Sequence, residues 1–160
     1  MRFIADAMLG RLSRWLRLLG YDTTSEPTED TAILKAAIAE ERTLLTRDKR
    51  LYEYARRLGV DTLFIGQPKL EDQLVELSRK VGWRTLEIDP SRSRCPRCNG
   101  KLSELSRSQV SSDVPEKVLS YHSRFWKCDT CGKIYWMGRH WLNIRKKING
   151  ANRALSEGER

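Results

Sequence analysis

The chain has 160 residues, 39% of them hydrophobic, with 30 Lys and Arg against 21 Asp and Glu and a formal net charge of +9. That length bounds it to one ordinary domain, or one domain with a small appendage. Its apolar runs fall short of the roughly 20 residues a membrane helix needs, and "MRFIADAML" lacks a signal-peptide layout, so a cytoplasmic protein without a membrane partner is expected. The basic excess favours polyanions, nucleic acid first; the bland alternative is a surface kept basic for solubility.

The first half alternates strand and helix signals. "RFIA" (2–5) reads as a short strand. In "MLGRLSRWLRLLG" (8–20), Met8, Leu9, Leu12, Trp15, Leu16 and Leu19 recur at helical spacing, and Gly20 stands where a C-cap glycine belongs. "YDTTS" (21–25) is a second strand, after which Pro27 interrupts the chain. A second helix starts near Glu29 or Asp30, with Ile33, Leu34, Ala37 and Ile38 on its apolar face. "TLLT" (43–46) is a third strand. A third helix over 48–58 follows, with Leu51, Tyr52, Ala55 and Leu58 inward. "DTLFIG" (61–66) predicts a fourth strand and Leu70, Leu74, Leu77 and Val81 a fourth helix, with "TLEI" (85–88) as a last strand. Strands alternating with helices at this spacing predict an α/β sandwich with a mostly parallel sheet, whose strand C-termini share one edge where ligands bind. The polar "DPSRSR" (89–94) marks the boundary to a second module, giving domains of 1–90 and 91–148, and 149–160 reads as a flexible tail with little to bury.

In the second module, Cys95 and Cys98 form one Cys-x-x-Cys knuckle and Cys128 and Cys131 another. Two such knuckles offer four soft thiolates to one tetrahedral ion, which points to structural zinc with no open position for chemistry; a redox pair is the competing reading. Gly100 and Gly132 suit the tight turns that aim backbone amides at sulfur. Trp126, Tyr135, Trp136, His140 and Trp141 are interleaved with Lys127, Lys133 and Arg139. Rings among cations suit stacking on unpaired bases, with Arg139 and His140 as phosphate contacts; equally, the rings fill a thin core.

Three carboxylates stand at element boundaries. Asp6 follows the first strand, Asp30 opens the second helix, and Asp48 follows the third strand. In a parallel sheet all three reach one edge, where they repel each other unless a hard cation such as Mg²⁺ or Mn²⁺ joins them. Taken singly, each reads as a helix cap. Arg11, Arg14 and Arg17 recur every third residue opposite the apolar stripe of the first helix, a basic face beside an acidic pocket, or simply a solvated one.

"FIADAMLGRLSRWLRLLGYDT", "EDTAILKAAIAEERTLLTRDKRL" and "CDTCGKIYWMGRHW" together resemble the Mut-seven C-terminal RNase domain family over roughly 2–145. The resemblance implies a PIN-like three-layer nuclease fold with a C-terminal zinc ribbon. It implies a Mg²⁺- or Mn²⁺-dependent ribonuclease, endonucleolytic, with Asp6, Asp30 and Asp48 as catalytic metal ligands and the four cysteines on Zn²⁺. Glu29 is the nearest candidate for the fourth acid that PIN nucleases usually present; Asp22 and Asp72 are weaker ones. Arg11, Arg14, Arg17 and Arg47 would position the RNA, which could belong to a ribosome or other RNP. The rival is a non-catalytic RNA- or ribosome-binding ribbon protein with a degenerate acidic pocket.

Overall fold

The computed structural model describes residues 1–25 and 29–158. Four parallel strands, β1 (Arg2–Ala5), β2 (Asp22–Thr24), β3 (Thr43–Thr46) and β4 (Thr62–Phe64), form one sheet in the order β2-β1-β3-β4. They alternate with helices α1 (Gly10–Leu18), α2 (Asp30–Ala39), α3 (Lys49–Arg57) and α4 (Leu70–Val81). The period-2 alternation of strand side chains divides the core between the two faces. Phe3, Ala5 and Leu45 pack with α1 and α4 through Leu12, Leu16, Leu74 and Leu77. Ile4 and Leu44 pack with α2 and α3 through Ile33, Leu34, Ala37, Leu51 and Ala55. Ile38 and Leu58, expected inward, are 58% and 51% exposed; Ile38 lies in the last turn of α2 and Leu58 is the residue that ends α3, both past the stretch of helix that lies on the strands.

Several local expectations shift. The first helix does not begin at Met8: Ala7–Leu9 form a 3-10 turn, and the α-helix starts at Gly10. Gly20 adopts φ +93°, and a Cβ there would meet the Arg92 carbonyl at 3.0 Å, so both conformation and close approach demand glycine. Pro27 lies outside the described residues. The strand expected over 85–88 does not form. The Leu86 N–H donates to Asn152 Oδ1 at 2.8 Å and its carbonyl accepts from Asn152 Nδ2 at 2.9 Å, so one side-chain amide satisfies the groups a ladder would have used.

The second module is an antiparallel sheet of β5 (Leu102–Ser106), β6 (Arg124–Cys128) and β7 (Ile134–Tyr135), with α5 (Glu116–Tyr121) before β6. Its small core is Val110, Val114 and Phe125. The chain then forms α6 (Arg139–Glu157), a helix of 19 residues. The flexible tail expected over 149–160 is therefore helical as far as Glu157. Ile148, Ala151 and Leu155 recur on one stripe and are buried in the core of the first domain, against α4. Among the described residues, no helix is long and apolar enough to cross a membrane.

Candidate functional site

The strand order places the site. From β1 the chain moves to one side for β2 and to the other for β3, so the sheet reverses direction between β1 and β3. The crevice outside the carboxyl ends of two such strands is where open α/β sheets bind ligands. The first residue past β1 is Asp6, and the two past β3 are Arg47 and Asp48. Continued strand alternation puts Asp6 on the Ile4 face and Thr46 on the Leu44 face, and these are the same face of the sheet. The α2 helix begins at that edge with Asp30.

Asp6 is buried, 8% exposed. Its Oδ1 accepts from the Met8 amide at 2.9 Å, which caps the 3-10 turn. Its Oδ2 accepts from the Thr46 hydroxyl and, at 2.9 Å, from the Arg47 amide. The carboxylate thus ties the end of β1 to the end of β3 through three donors. Asp48 is the N-cap of α3: its Oδ1 accepts from the Arg50 amide at 2.7 Å and the Leu51 amide at 3.2 Å. Its own amide donates to Thr46 Oγ1 at 3.0 Å. One hydroxyl therefore links the two aspartates, donating to Asp6 and accepting from the backbone of Asp48. Thr46 has no distinguishing sequence signal beyond being a hydroxyl at the end of an apolar strand. Asp30 and Glu29 are exposed, and their carboxylates make no hydrogen bond among the described residues. Asp6, Asp30 and Asp48 do not form a group whose ligand atoms all lie within 4.8 Å of one another; among the described residues the four cysteines are the group that does. Asp22 lies elsewhere, at the start of β2, bonded to Arg42 at 2.8 Å and to Asn99 at 2.7 Å. Asp72 is in the first turn of α4.

The basic residues divide. Arg11 and Arg14 are exposed on α1 and make no hydrogen bond among the described residues. Arg17, expected on the same face, is buried at 6% exposure. Its guanidinium donates to the carbonyls of Thr23 at 2.7 Å, Pro96 at 3.0 Å and Arg97 at 3.3 Å, and to Ser25 Oγ at 3.1 Å. A three-residue spacing turns about 300° per step, so by the third arginine the stripe has swung toward the ribbon. Arg17 is thus a structural clamp on the first knuckle, buried and bonded to backbone carbonyls instead of standing on the exposed basic face. Arg47 is half-buried, with a weak 3.4 Å bond to the Gly66 carbonyl. Arg139 and His140 are exposed at the start of α6.

The four cysteine sulfurs lie within 4.8 Å of one another, with Cys95 Sγ to Cys131 Sγ at 3.7 Å and Cys98 Sγ to Cys128 Sγ at 3.4 Å. A tetrahedron of sulfurs about 2.3 Å from a zinc ion has edges of about 3.8 Å, so the donor set and its spacing fit a metal such as zinc. Backbone amides support the thiolates: Cys131 N–H donates to Cys128 Sγ, and the amides of Arg97 and Cys98 to Cys95. Burial opposes ionisation of Cys95, yet the Tyr135 hydroxyl and these amides bring it down to about 7. Burial and the neighbouring sulfurs push Cys98 up to about 12, so four thiolates coexist only around a cation. Gly100 is required by close packing, since a Cβ there would lie 2.6 Å from Thr130 Oγ1 and 2.7 Å from Cys128 Sγ.

The model of the Mut7-C RNAse domain family matches residues 1–148. The chain belongs to that family. No curated protein and no solved structure matches it. Membership in a ribonuclease-domain family points to a nuclease-like hydrolase with RNA as its substrate class. In this Mut7-C chain the acidic edge of the sheet and the four-cysteine metal centre are separate places, the first built from strand ends and the second from the turns of the ribbon.

Proposed function

We propose that the protein is a metal-dependent ribonuclease that hydrolyses RNA phosphodiester bonds internally, with the sheet edge at Asp6 and Asp48 as its active site. The observation that carries this reading is the family match over residues 1–148. The Thr46 hydroxyl linking Asp6 and Asp48 at the reversal of the sheet supports the location. Hard carboxylate oxygens suit Mg²⁺ or Mn²⁺, and Mg²⁺ keeps several waters and needs only one or two direct carboxylates, so wide spacing of the acids is compatible with it. Asp6 and Asp48 would hold the ion, with Asp30 and Glu29 approaching from the start of α2. A divalent ion there acidifies a water and offsets charge on the phosphate.

The chain's own residues do the rest. Asp6 is fixed by its three donors and cannot swing away from the crevice. Asp48 keeps Oδ1 on the α3 amides and leaves Oδ2 for the crevice. Arg11, Arg14 and Arg47 hold the phosphate backbone across the edge. The four cysteines bind Zn²⁺ structurally, and the ribbon adds affinity through Arg139 and His140. The substrate is single-stranded or structured RNA, free or within a ribonucleoprotein such as the ribosome, in the cytoplasm.

That Asp6, Asp30 and Asp48 do not gather within 4.8 Å of one another favours a second reading, an RNA-binding ribbon protein whose acidic pocket is degenerate. Both readings give salt-sensitive RNA binding. Adding Mn²⁺ to the purified zinc-loaded chain with labelled RNA separates them. The nuclease cuts internally, and Asp48→Asn abolishes cutting while binding survives. Intact RNA with Mn²⁺ present, bound with the usual salt dependence, establishes the binder instead.

A further inference from the structure

Where the end of α1, the ribbon and the start of α6 meet, a mostly apolar cleft of about 60 Å³ opens, several times the room one water needs. Its walls include Leu18, Trp126, Tyr135, Trp136, Trp141 and Ile144, and His140 stands at its rim. Tyr135 is committed to Cys95 through its hydroxyl. The other polar ring atoms are not committed. Trp126 lends the cleft a ring wall only: it is 4% exposed, and its Nε1 is buried out of solvent's reach, without a hydrogen-bond partner among the described residues. Trp136 Nε1 and the His140 imidazole also lack partners among the described residues, and both lie beside Gly138, where a Cβ would be 3.3 Å from Trp136 Nε1 and 3.4 Å from His140 Nδ1. The α6 helix begins at this rim. Its N-cap, Gly138, has no side chain to cap the first amides, and Arg139 next to it is exposed.

Flat aromatic walls, unpartnered N–H groups and a cationic, uncapped helix start are the complements of a flat ring with acceptor atoms joined to a phosphate. An aliphatic ligand would use neither the N–H groups nor the charge. We propose that this cleft is a subsite for one unstacked base of an RNA strand, stacked between Trp136 and Trp141, with its phosphate on Arg139 and the first amides of α6. The proposal rests on the reading of RNA as substrate and adds a second anchoring point to it. Leu18 is the last residue of α1 and Gly10 the first. Nine residues at 1.5 Å each separate the cleft from the Asp6 edge by about 13 Å along the helix. Arg11 and Arg14 lie between them on the exposed side. A strand engaged at both ends would run past these two arginines, and the held base would sit a fixed few nucleotides from the phosphate at the acidic edge.

The test uses the zinc-loaded full chain carrying Asp48→Asn, so that RNA stays intact, and a single-stranded 12-nucleotide RNA in which one abasic ribonucleotide is moved through successive positions. The subsite predicts that removing the base at one position weakens binding about 5- to 150-fold, the range for loss of one base–aromatic stack, while other positions change little. The Trp136→Leu variant, checked for zinc content and helicity, then binds the intact RNA and that one abasic RNA equally. Equal binding of all abasic RNAs to the parent protein, with intact RNA still bound, overturns the subsite and leaves the RNA reading standing. No binding of any RNA at low salt overturns both.

Discussion

At the scale of single residues, the acidic edge depends on a side chain that does no acid or base chemistry. The Thr46 hydroxyl is fully buried, donates to Asp6 and accepts from the Asp48 amide. Thr46→Val keeps the shape and removes both bonds. It leaves a buried carboxylate short of a donor and a backbone amide short of an acceptor, a loss of about 1–3 kcal/mol of stability by the usual cost of unsatisfied buried groups. Urea unfolding measures this. If Asp6 serves the reaction, cleavage falls further than stability explains, because the carboxylate is then held by only two of its three donors. The positions of Asp6 and Asp48 as boundary residues were legible in sequence, since Asp6 directly follows one apolar strand and Asp48 stands two residues past another. Thr46 was not legible. Its meaning comes from β1 lying next to β3, a pairing between residues 40 apart. Arg17 misled for a related reason: its spacing matches Arg11 and Arg14, but the carbonyls that bury it belong to Pro96 and Arg97, far along the chain.

At the scale of elements, the helices of the first half followed from periodicity, because each carries its own apolar stripe. The two failures lie where an element depends on a distant partner. The segment 85–88 looks like a strand by composition, yet the sheet ends at β4 and Asn152 takes its backbone groups. The end of α6 looks polar because small and charged residues dominate it, but Ile148, Ala151 and Leu155 keep the i, i+3, i+7 spacing that would have revealed a buried face. The ion pair of Lys147 with Glu71 and the bond from Arg79 to the Ala154 carbonyl hold that face on α4. Leu155→Ala therefore costs about 2–5 kcal/mol, the range for a buried leucine truncated in a core, although it lies within six residues of the chain end. Thermal or urea unfolding of the full chain checks this; a frayed tail would tolerate the change without loss.

For the whole molecule, the question is how the ribbon is fixed to the first domain, and the answer is a set of polar bonds at the start of β2. Asn99, between Cys98 and Gly100 and at φ +67°, accepts from the Thr23 amide at 3.1 Å and donates to Asp22 at 2.7 Å. Arg42, with a side chain only 5% exposed, donates to Asp22 from the other side. The Arg94 amide and the Ser93 hydroxyl close the last carbonyls of α1 at Arg17 and Leu18. Burial opposes ionisation of Asp22, but the bonds from Arg42 and Asn99 and the charge of Arg94 outweigh it and hold its carboxyl well below the usual range. A carboxyl whose folded pKa is depressed contributes stability above its unfolded pKa of about 3.9 and loses that contribution as pH falls toward the folded value. Thermal stability should therefore decline below about pH 4, over and above the loss of metal as the thiolates protonate. Asp22→Asn separates the two causes. It lowers stability at neutral pH, since Arg42 is left buried beside a neutral amide. It also removes only the carboxyl's share of the acid decline, so the melting curves of variant and parent converge as pH drops from 5 to 2.5. Parallel curves over that range would mean that the Asp22 charge, shared by Arg42 of the first domain with Asn99 and Arg94 of the ribbon, adds nothing to the acid dependence, and that the cysteine centre alone governs how the two parts come apart in acid.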